Sequence, residues 1–288
     1  MKNTMIVTDT LSSMTPELER EYDVIVVPYH LIVDGKDYLD NVYDRDLLFT
    51  RLESYHNLPT TSAGNTGDIL QAYQRASQKA KNILFITTSS VISASYNAAL
   101  RAKEIAKKEL PGSTIEVVDC QTAICGQLLV VLATARAANE EGNLSEIVDI
   151  SRQMTKRVTY LTLPETMFFF ERAGRSGKET GTTKAPVSIY PVIEIDSASG
   201  GVPKFIIKNR TKAKAVERML ELVNDKSRNK KLHAAISYTN NLDEADALKE
   251  KLLSRFEVSG EVYITPHSTA ASVVAGPRAL SLAFYPED

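Results

Sequence analysis

The feature that most restricts this chain is an alternation: short β-branched runs recur between stretches with helical spacing of apolar residues. Met5 to Val7, Val24 to Val27, Ile83 to Thr87 and Ile115 to Val118 are strand-like, and amphipathic segments separate them. Parallel strands cannot be joined by tight hairpins and need crossovers, so this order predicts a mainly parallel sheet with helices on both faces. Thr15-Pro16-Glu17-Leu18 supplies a capping hydroxyl, a first-turn proline and an acidic group at the positive end of a short helix. Helices are expected over Gln71 to Lys81, Ala94 to Lys108 and Ala123 to Glu141, the last closing at Gly142-Asn143. Ser145 is expected to cap a further helix that reaches Arg157.

Asp34-Gly35, inside His30 to Leu39, is type I′ hairpin chemistry and predicts an antiparallel excursion from that sheet. After Tyr160-Leu161-Thr162-Leu163-Pro164 the pattern changes. A helix-like Glu165 to Ala173 leads into Gly174-Arg175-Ser176-Gly177, and strands follow at Val187 to Ile195 and Lys204 to Ile207 around the turn residues Ser199-Gly200-Gly201. Helices over Lys212 to Val223 and Leu242 to Arg255 flank a strand at His233 to Tyr238, and two more strand runs end the chain. The 288 residues therefore divide into two α/β lobes: a mainly parallel one over 1–158 and a mixed, more antiparallel one over 159–288.

Composition removes several classes of function. The chain is 43% hydrophobic and 24% charged, as in a soluble globular protein, and no run approaches the roughly 20 apolar residues of a membrane span. Its first residues enter a strand-like run with no apolar signal segment, so cytoplasmic residence is expected. A net charge of −2 lacks the basic excess of a phosphate-neutralising nucleic-acid binder, and the basic stretch Lys226 to Lys231 reads as a solvated helix end and loop. Cys120 and Cys125 have no partner ligands at zinc spacing and read as reduced thiols, so neither metal nor disulfide is expected.

Hydroxyl groups gather where strands give way to helices: Asp9-Thr10-Leu11-Ser12-Ser13, Thr60-Thr61-Ser62, and Thr87-Thr88-Ser89-Ser90-Val91-Ile92-Ser93-Ala94-Ser95. In an open parallel sheet, ligands sit beyond the carboxyl ends of the strands, where helix N-termini aim free N–H groups. A single such residue is usually a helix cap. A cap needs one hydroxyl, however, and four serines crowd the crossover at Ser89 to Ser95. The loops are thus expected to hold the polar end of a small acidic ligand.

Several motifs, in order along nearly the whole chain, resemble the DegV family. They are Ile6-Val7-Thr8-Asp9-Thr10, the Thr61-Ser62 turn, Ser89 to Tyr96, Val117-Val118-Asp119, Glu171-Arg172-Ala173-Gly174-Arg175 and Gly276-Pro277-Arg278-Ala279-Leu280. The resemblance implies a two-domain protein that holds a fatty acid in a tunnel between its lobes, with no other cofactor. It also implies that the bound acid is presented to a separate fatty acid kinase subunit, the binding protein itself being no enzyme. Thr61, Ser62 and Ser93 match the family's carboxylate-binding hydroxyls, and Arg175 matches the arginine of its Gly-Gly-Arg turn. Hydroxyl donors and a guanidinium can hold a carboxylate without a metal.

The chain departs from the family pattern at its end. Val274 stands where the family's histidine belongs, Arg278 replaces a glycine, and Ser93-Ala94-Ser95 stands for Ser-Gly-Thr. Three accounts are open: Arg278 brings a permanent cation to the same anion, the ligand is a different anion such as a phosphate or sugar acid, or Arg278 is a solvated surface residue. His267 is read as a strand-end or loop residue because Gly276-Pro277 aligns without a gap, and His30, His56 and His233 as structural or surface groups.

Other chemistries fare worse. There is no Gly-x-Ser-x-Gly elbow for a hydrolase. In Gly174-Arg175-Ser176-Gly177-Lys178, Arg172 and Glu179 occupy the positions where a phosphate loop needs glycine and Ser/Thr. Asp9 and Asp119 both end strands and are read as loop and cap acceptors rather than an acid/base or magnesium pair. Met167 and Phe168-Phe169-Phe170 would suit an acyl tunnel, although such a stripe is more often plain core.

Overall fold

The structure is a computed structural model that describes residues 3–140, 142–175 and 189–287. In chain order the first half runs β1 (Thr4–Asp9), α1 (Pro16–Tyr22), β2 (Val24–Val27), β3 (His30–Val33), β4 (Lys36–Leu39), α2 (Arg45–Ser54) and β5 (Thr60–Ser62). It continues with α3 (Thr66–Ser77), β6 (Asn82–Thr87), α4 (Ser95–Glu109), β7 (Thr114–Asp119), α5 (Cys125–Asn139) and α6 (Leu144–Arg157). The second half is β8 (Thr159–Leu163), α7 (Phe168–Arg172), β9 (Tyr190–Glu194), β10 (Lys204–Asn209), α8 (Lys212–Ser227), β11 (Leu232–Tyr238), α9 (Leu242–Arg255), β12 (Tyr263–Pro266), α10 (Thr269–Ala275) and β13 (Leu280–Pro286).

Three sheets organise these elements. One is all parallel, in the order β2-β1-β6-β7. Its two faces are covered as the sequence predicts: Ile69, Tyr73, Ala99 and Ala102 of α3 and α4 pack on one side with Met5, Ile83 and Phe85, while α1, α5 and α6 pack on the other with Ile6, Leu84 and Ile86. The six-stranded sheet β10-β9-β8-β13-β11-β12 is mixed, antiparallel except where β11 meets β12. The third is a small antiparallel sheet, β4-β3-β5. Its hairpin turns at Asp34 (φ 50°) and Gly35 (φ +76°), the paired positive φ values of a type I′ turn.

The α/β class and both sheet types agree with the sequence, but several local expectations are corrected. The third helix starts at Thr66, not Gln71, because Asn65 and Asp68 form a reciprocal capping box, and it ends at Ser77 rather than Lys81. Asn143, not Ser145, caps α6, again through a capping box, with Glu146. Helix α5 begins at Cys125 and ends at Asn139, so Asn143 closes nothing and opens the next helix. Only Phe168–Arg172 of the Glu165 to Ala173 segment is α-helical. Between the final two strands lies a helix, α10, that the strand reading omits. The expected turn residues Ser176-Gly177, the Lys178 and Glu179 positions, the strand start at Val187 and the helix end at Glu141 lie outside the described residues.

Helix α5 explains how the two larger sheets share one molecule. Gly126, Gln127 and every residue from Leu128 to Leu132 are buried, so no polar face exists to meet solvent there. One continuous core cluster joins its Leu128, Val131 and Ala135 to Ile6 and Leu84 of the parallel sheet and to Tyr160, Ile193, Ala235 and Ala283 of the mixed sheet. Gly126 is required at the closest approach, because a Cβ there would sit 2.4 Å from Thr122 Oγ1 and 2.9 Å from Tyr160 Cβ.

Candidate functional site

Beyond the carboxyl ends of the parallel strands, the loops, α10 and the edge of the mixed sheet enclose a cavity of about 210 Å³. Its walls are largely apolar. Ala270, Ala271, Val274 and Ala275 present one face of α10, whose small residues leave the space open. Ile124, Tyr160, Phe170 and Ile195 supply the bulkier surfaces. Hydroxyl and cationic groups enter through Thr61, Ser62, Ser93 and Arg175.

Each polar group is placed by a local cause. Thr61 and Ser62 lie on β5, which the sequence reading treats as a loop but which pairs antiparallel with β3, Leu31 opposite Thr61 and His30 opposite Ser62. The strand turns at Gly64, where a Cβ would stand 2.8 Å from Val27 Cγ1 and 2.9 Å from the Pro28 carbonyl oxygen. Arg175 follows Gly174 (φ +67°) at the end of α7, and its guanidinium donates to the backbone carbonyls of Ile92, at 3.2 Å, and Ala173. It is thereby fixed against the loop that carries Ser93.

The four serines of the β6–α4 crossover have four different tasks. Ser89 Oγ donates to the Gly201 carbonyl at 3.1 Å and accepts from the Val91 N–H. The Ser90 N–H donates to Asp119, which also accepts from the Gln121 N–H. Ser95 Oγ donates to Asp9 Oδ2 at 2.9 Å. Ser93 Oγ accepts from the Ser95 N–H at 3.1 Å, lies 2.5 Å from Tyr29 Oη, and faces the cavity. Ala94, which caps α4 without a side-chain bond, lines the cavity too, so the positive end of a 15-residue helix lies beside Ser93.

Two buried carboxylates sit behind this polar end. Asp9 accepts from the Thr88 N–H, the Ser95 hydroxyl and Gln127 Nε2, and burial nevertheless pushes its pKa up to about 6. Asp40 accepts from the Tyr29 N–H, and burial likewise raises it to about 6. Asp9 and Asp119 therefore act as acceptors for loop and side-chain donors; among the described residues no cluster of metal-ligating groups forms. Tyr29, placed between β2 and β3, was not singled out by the sequence. Its only local signal is a hydroxyl-bearing aromatic next to Pro28.

The chain's departures from the expected pattern fall in distinct places. Val274 lines the cavity and offers it no donor. Arg278 does not line the cavity: the chain turns away at Gly276 (φ +78°), and the Arg278 guanidinium pairs with Glu244 while its carbonyl accepts from Lys212 and Asn241. Gly276 is needed for that turn and for contact, since a Cβ would lie 2.3 Å from the Phe169 ring. His267 is fully buried away from the cavity; Nε2 meets Ser281 Oγ at 3.2 Å, and burial lowers its pKa to about 3. His30 bridges Asp37 and Asp68. Of the aromatic run, Phe170 reaches the cavity, Phe169 is core and Phe168 is exposed. Cys120 and Cys125 are unpaired and fully buried, and burial raises both thiols. Among the described residues no helix is long and apolar enough to cross a membrane.

Comparison with known proteins places this architecture. A DegV domain-containing protein of Streptococcus pyogenes serotype M1 is 27% identical over 280 residues, covering 96% of each chain. A Clostridium perfringens DegV domain-containing protein is 23% identical over 97% of each. Among solved structures, a DegV family protein from Thermus thermophilus described for its fatty acid binding superposes with a TM-score of 0.88 at 23% identity over the full length of both chains. A stearic acid-binding protein from Eubacterium ventriosum gives 0.88 at 18% identity over 98% of both, and DegV of Bacillus subtilis, described as a fatty acid binding protein, 0.85 at 21% over all of both. These likenesses establish the fold. The family model for uncharacterised DegV proteins matches residues 3–287, so the chain, with its parallel and mixed sheets joined through α5, belongs to the DegV family.

Proposed function

We propose that this chain is a non-enzymatic lipid-binding protein that holds a fatty acid, its carboxylate at Thr61, Ser62, Ser93 and Arg175 and its acyl chain in the cavity between the two larger sheets. The observation that carries this reading is that one cavity is lined both by hydroxyl and guanidinium residues, Thr61, Ser62, Ser93 and Arg175, and by alanine, isoleucine and aromatic residues. Apolar walls reward burial of a hydrocarbon by about 0.8 kcal/mol per methylene, and the charge-assisted donors fix the head. A phosphate or sugar acid would satisfy the donors but leave its remaining polar groups against Ala271, Phe170 and Ile195 without partners. That several structural neighbours are described as fatty acid binding proteins supports the same choice. Arg278 is left out of the site because of its pairing with Glu244.

The reading extends to a partner. Ser62 is exposed and Arg175 half-buried, so the head of the ligand would lie near the surface, where a separate fatty acid kinase subunit could reach it. Lipid extraction of the purified protein followed by mass spectrometry tests the core claim: a stoichiometric fatty acid is expected. Repeated recovery of empty protein, stabilised in thermal shift by polar phosphates and indifferent to fatty acids, would overturn it.

A further inference from the structure

The Ser93 hydroxyl is held by two neighbours. Its oxygen accepts from the Ser95 N–H at 3.1 Å and lies 2.5 Å from the phenol oxygen of Tyr29, and either hydroxyl can supply the proton between them. Tyr29 is clamped where it stands. Its N–H donates to Thr10 Oγ1 at 3.1 Å and to Asp40 Oδ1 at 3.0 Å, its carbonyl accepts from the Asp40 N–H at 2.9 Å, and the residue is only 4% exposed. These backbone bonds hold the ring against the β6–α4 crossover. Among the described residues, the bond to Ser93 is the one hydrogen bond that the phenol makes.

Acidity sets the direction of that bond. A phenol is a far stronger acid than an aliphatic hydroxyl, and its ring draws on the oxygen lone pairs, so Tyr29 is the better donor and Ser93 the better acceptor. Burial, then the charge of Asp9, keeps Tyr29 protonated. A serine oxygen has two acceptor sites and one proton. The Ser95 N–H fills one site and the Tyr29 phenol fills the other, which leaves the Ser93 proton to the side that faces the cavity. Ser62 differs. Its hydroxyl donates to the Ala63 carbonyl at 3.2 Å and has to rotate before it can donate to a ligand.

We infer that Tyr29 is a positioning residue for the ligand head: by donating to Ser93 it commits the Ser93 proton to the cavity and biases the site toward heads that only accept, a carboxylate ahead of an alcohol of the same length. The inference rests on the fatty acid reading above, with Ser93 at the carboxylate. Tyr29 acts through Ser93 and does not have to touch the ligand. Without the phenol, Ser93 accepts as readily as it donates, and its outgoing bond loses the strengthening that a donor on its own oxygen lends. A carboxylate is the poorer for both changes. An alcohol is not, because its own proton can then go to Ser93.

The experiment is a double-mutant cycle read as the ratio of palmitate to hexadecanol affinity, in calorimetric titrations of wild type, Tyr29→Phe, Ser93→Ala and the double variant. Tyr29→Phe keeps the buried ring and removes only the hydroxyl. It should lower the ratio about three- to tenfold, the difference between a charge-assisted and an ordinary hydrogen bond, with hexadecanol affinity held within about twofold. In the Ser93→Ala background the same change should leave the ratio where Ser93→Ala alone puts it. An unchanged ratio in Tyr29→Phe, or equal losses for both probes, overturns the inference and leaves the lipid reading standing; a full further loss in the Ser93→Ala background means that Tyr29 meets the head directly, and overturns it too. Failure of wild type to bind either probe overturns the lipid reading and this inference with it. Should Tyr29→Phe not fold, 3-fluorotyrosine installed at position 29 decides: it keeps ring and hydroxyl and makes the phenol more acidic, so the ratio should rise above that of wild type, and a ratio that stays level or falls refutes the inference.

Discussion

Ile124 tests how the cavity wall is built. It caps α5 at φ 52°, ψ −125°, the first central position of a type II′ turn, where glycine is the usual occupant and a β-branched residue is a genuine outlier. Its side chain is 8% exposed and lines the cavity. Ile124→Ala removes the side chain but keeps a Cβ in that backbone region; Ile124→Gly removes both. Elsewhere alanine is the more stable of the two by about 0.4–1 kcal/mol, because glycine frees the unfolded chain. Here the Cβ costs roughly 1–3 kcal/mol. The order should therefore invert, with the glycine variant more stable than the alanine variant by about 1–2 kcal/mol. Both should fall below wild type, by about 2 kcal/mol for the alanine variant, the low end for a buried isoleucine because one side faces open space. Urea unfolding followed by tyrosine fluorescence measures this cleanly, since the protein has twelve tyrosines and no tryptophan. Midpoints should separate at constant slope. An alanine variant as stable as the glycine variant would refute the strain.

Three further outcomes follow from the geometry. Gly276→Ala should cost on the order of 2–4 kcal/mol in urea unfolding, because the new methyl meets the Phe169 ring at a backbone angle that favours glycine; a loss below ~1 kcal/mol would mean that the ring moves freely. Arg278→Ala should leave the ratio of palmitate to hexadecanol affinity unchanged in a binding titration and change stability by no more than about 1 kcal/mol, since its half-exposed pair with Glu244 is off the cavity; a selective loss of palmitate binding would return it to the site. His267, lowered by burial to about 3, lends stability that is complete above its unfolded value of 6.5 and is lost as pH falls toward 3. Asp9 and Asp40, raised by burial to about 6, work oppositely, their contribution present at low pH and lost as pH rises from 3.8 through 6. His267→Asn should therefore flatten the acid side of a stability–pH curve, and an unchanged acid limb would contradict the assignment.

What the sequence made legible was what local pattern controls. Val24 to Val27 and Ile83 to Thr87 are apolar runs bounded by turn residues, and they are strands of the parallel sheet. Strand β5 was unreadable because Thr60, Thr61 and Ser62 have no apolar member; its conformation comes from pairing with β3, about thirty residues away along the chain. Helix α10 was hidden by small and β-branched residues, Thr-Ala-Ala-Ser-Val-Val-Ala, that carry little helix signal and face a cavity on one side. At the site, Thr61, Ser62, Ser93 and Arg175 were named from a resemblance, and the structure brings all four to one cavity. Arg278 is suggested by its place two residues beyond Gly276, but the backbone turns through positive φ at both Gly276 and Arg278, and the guanidinium pairs with Glu244 rather than lining the cavity. Tyr29 was missed because its link to Ser93 spans 64 positions, a relation that no local period can express.

The burial of the first two turns of α5 on every side has a thermodynamic corollary. Because its residues close the core of both larger sheets at once, a cut at residue 158 would separate the sheets without separating their interiors, and each fragment would expose the surface that Leu128, Val131 and Ala135 now cover. The intact protein should accordingly melt in a single calorimetric transition, with van't Hoff and calorimetric enthalpies equal. Ligand exchange inherits the same constraint. Swinging one lobe from the other would break that shared core, so traffic through the cavity has to use the thin parts of its wall, the β5 strand, α7 and the short α10, while the two large sheets stay still.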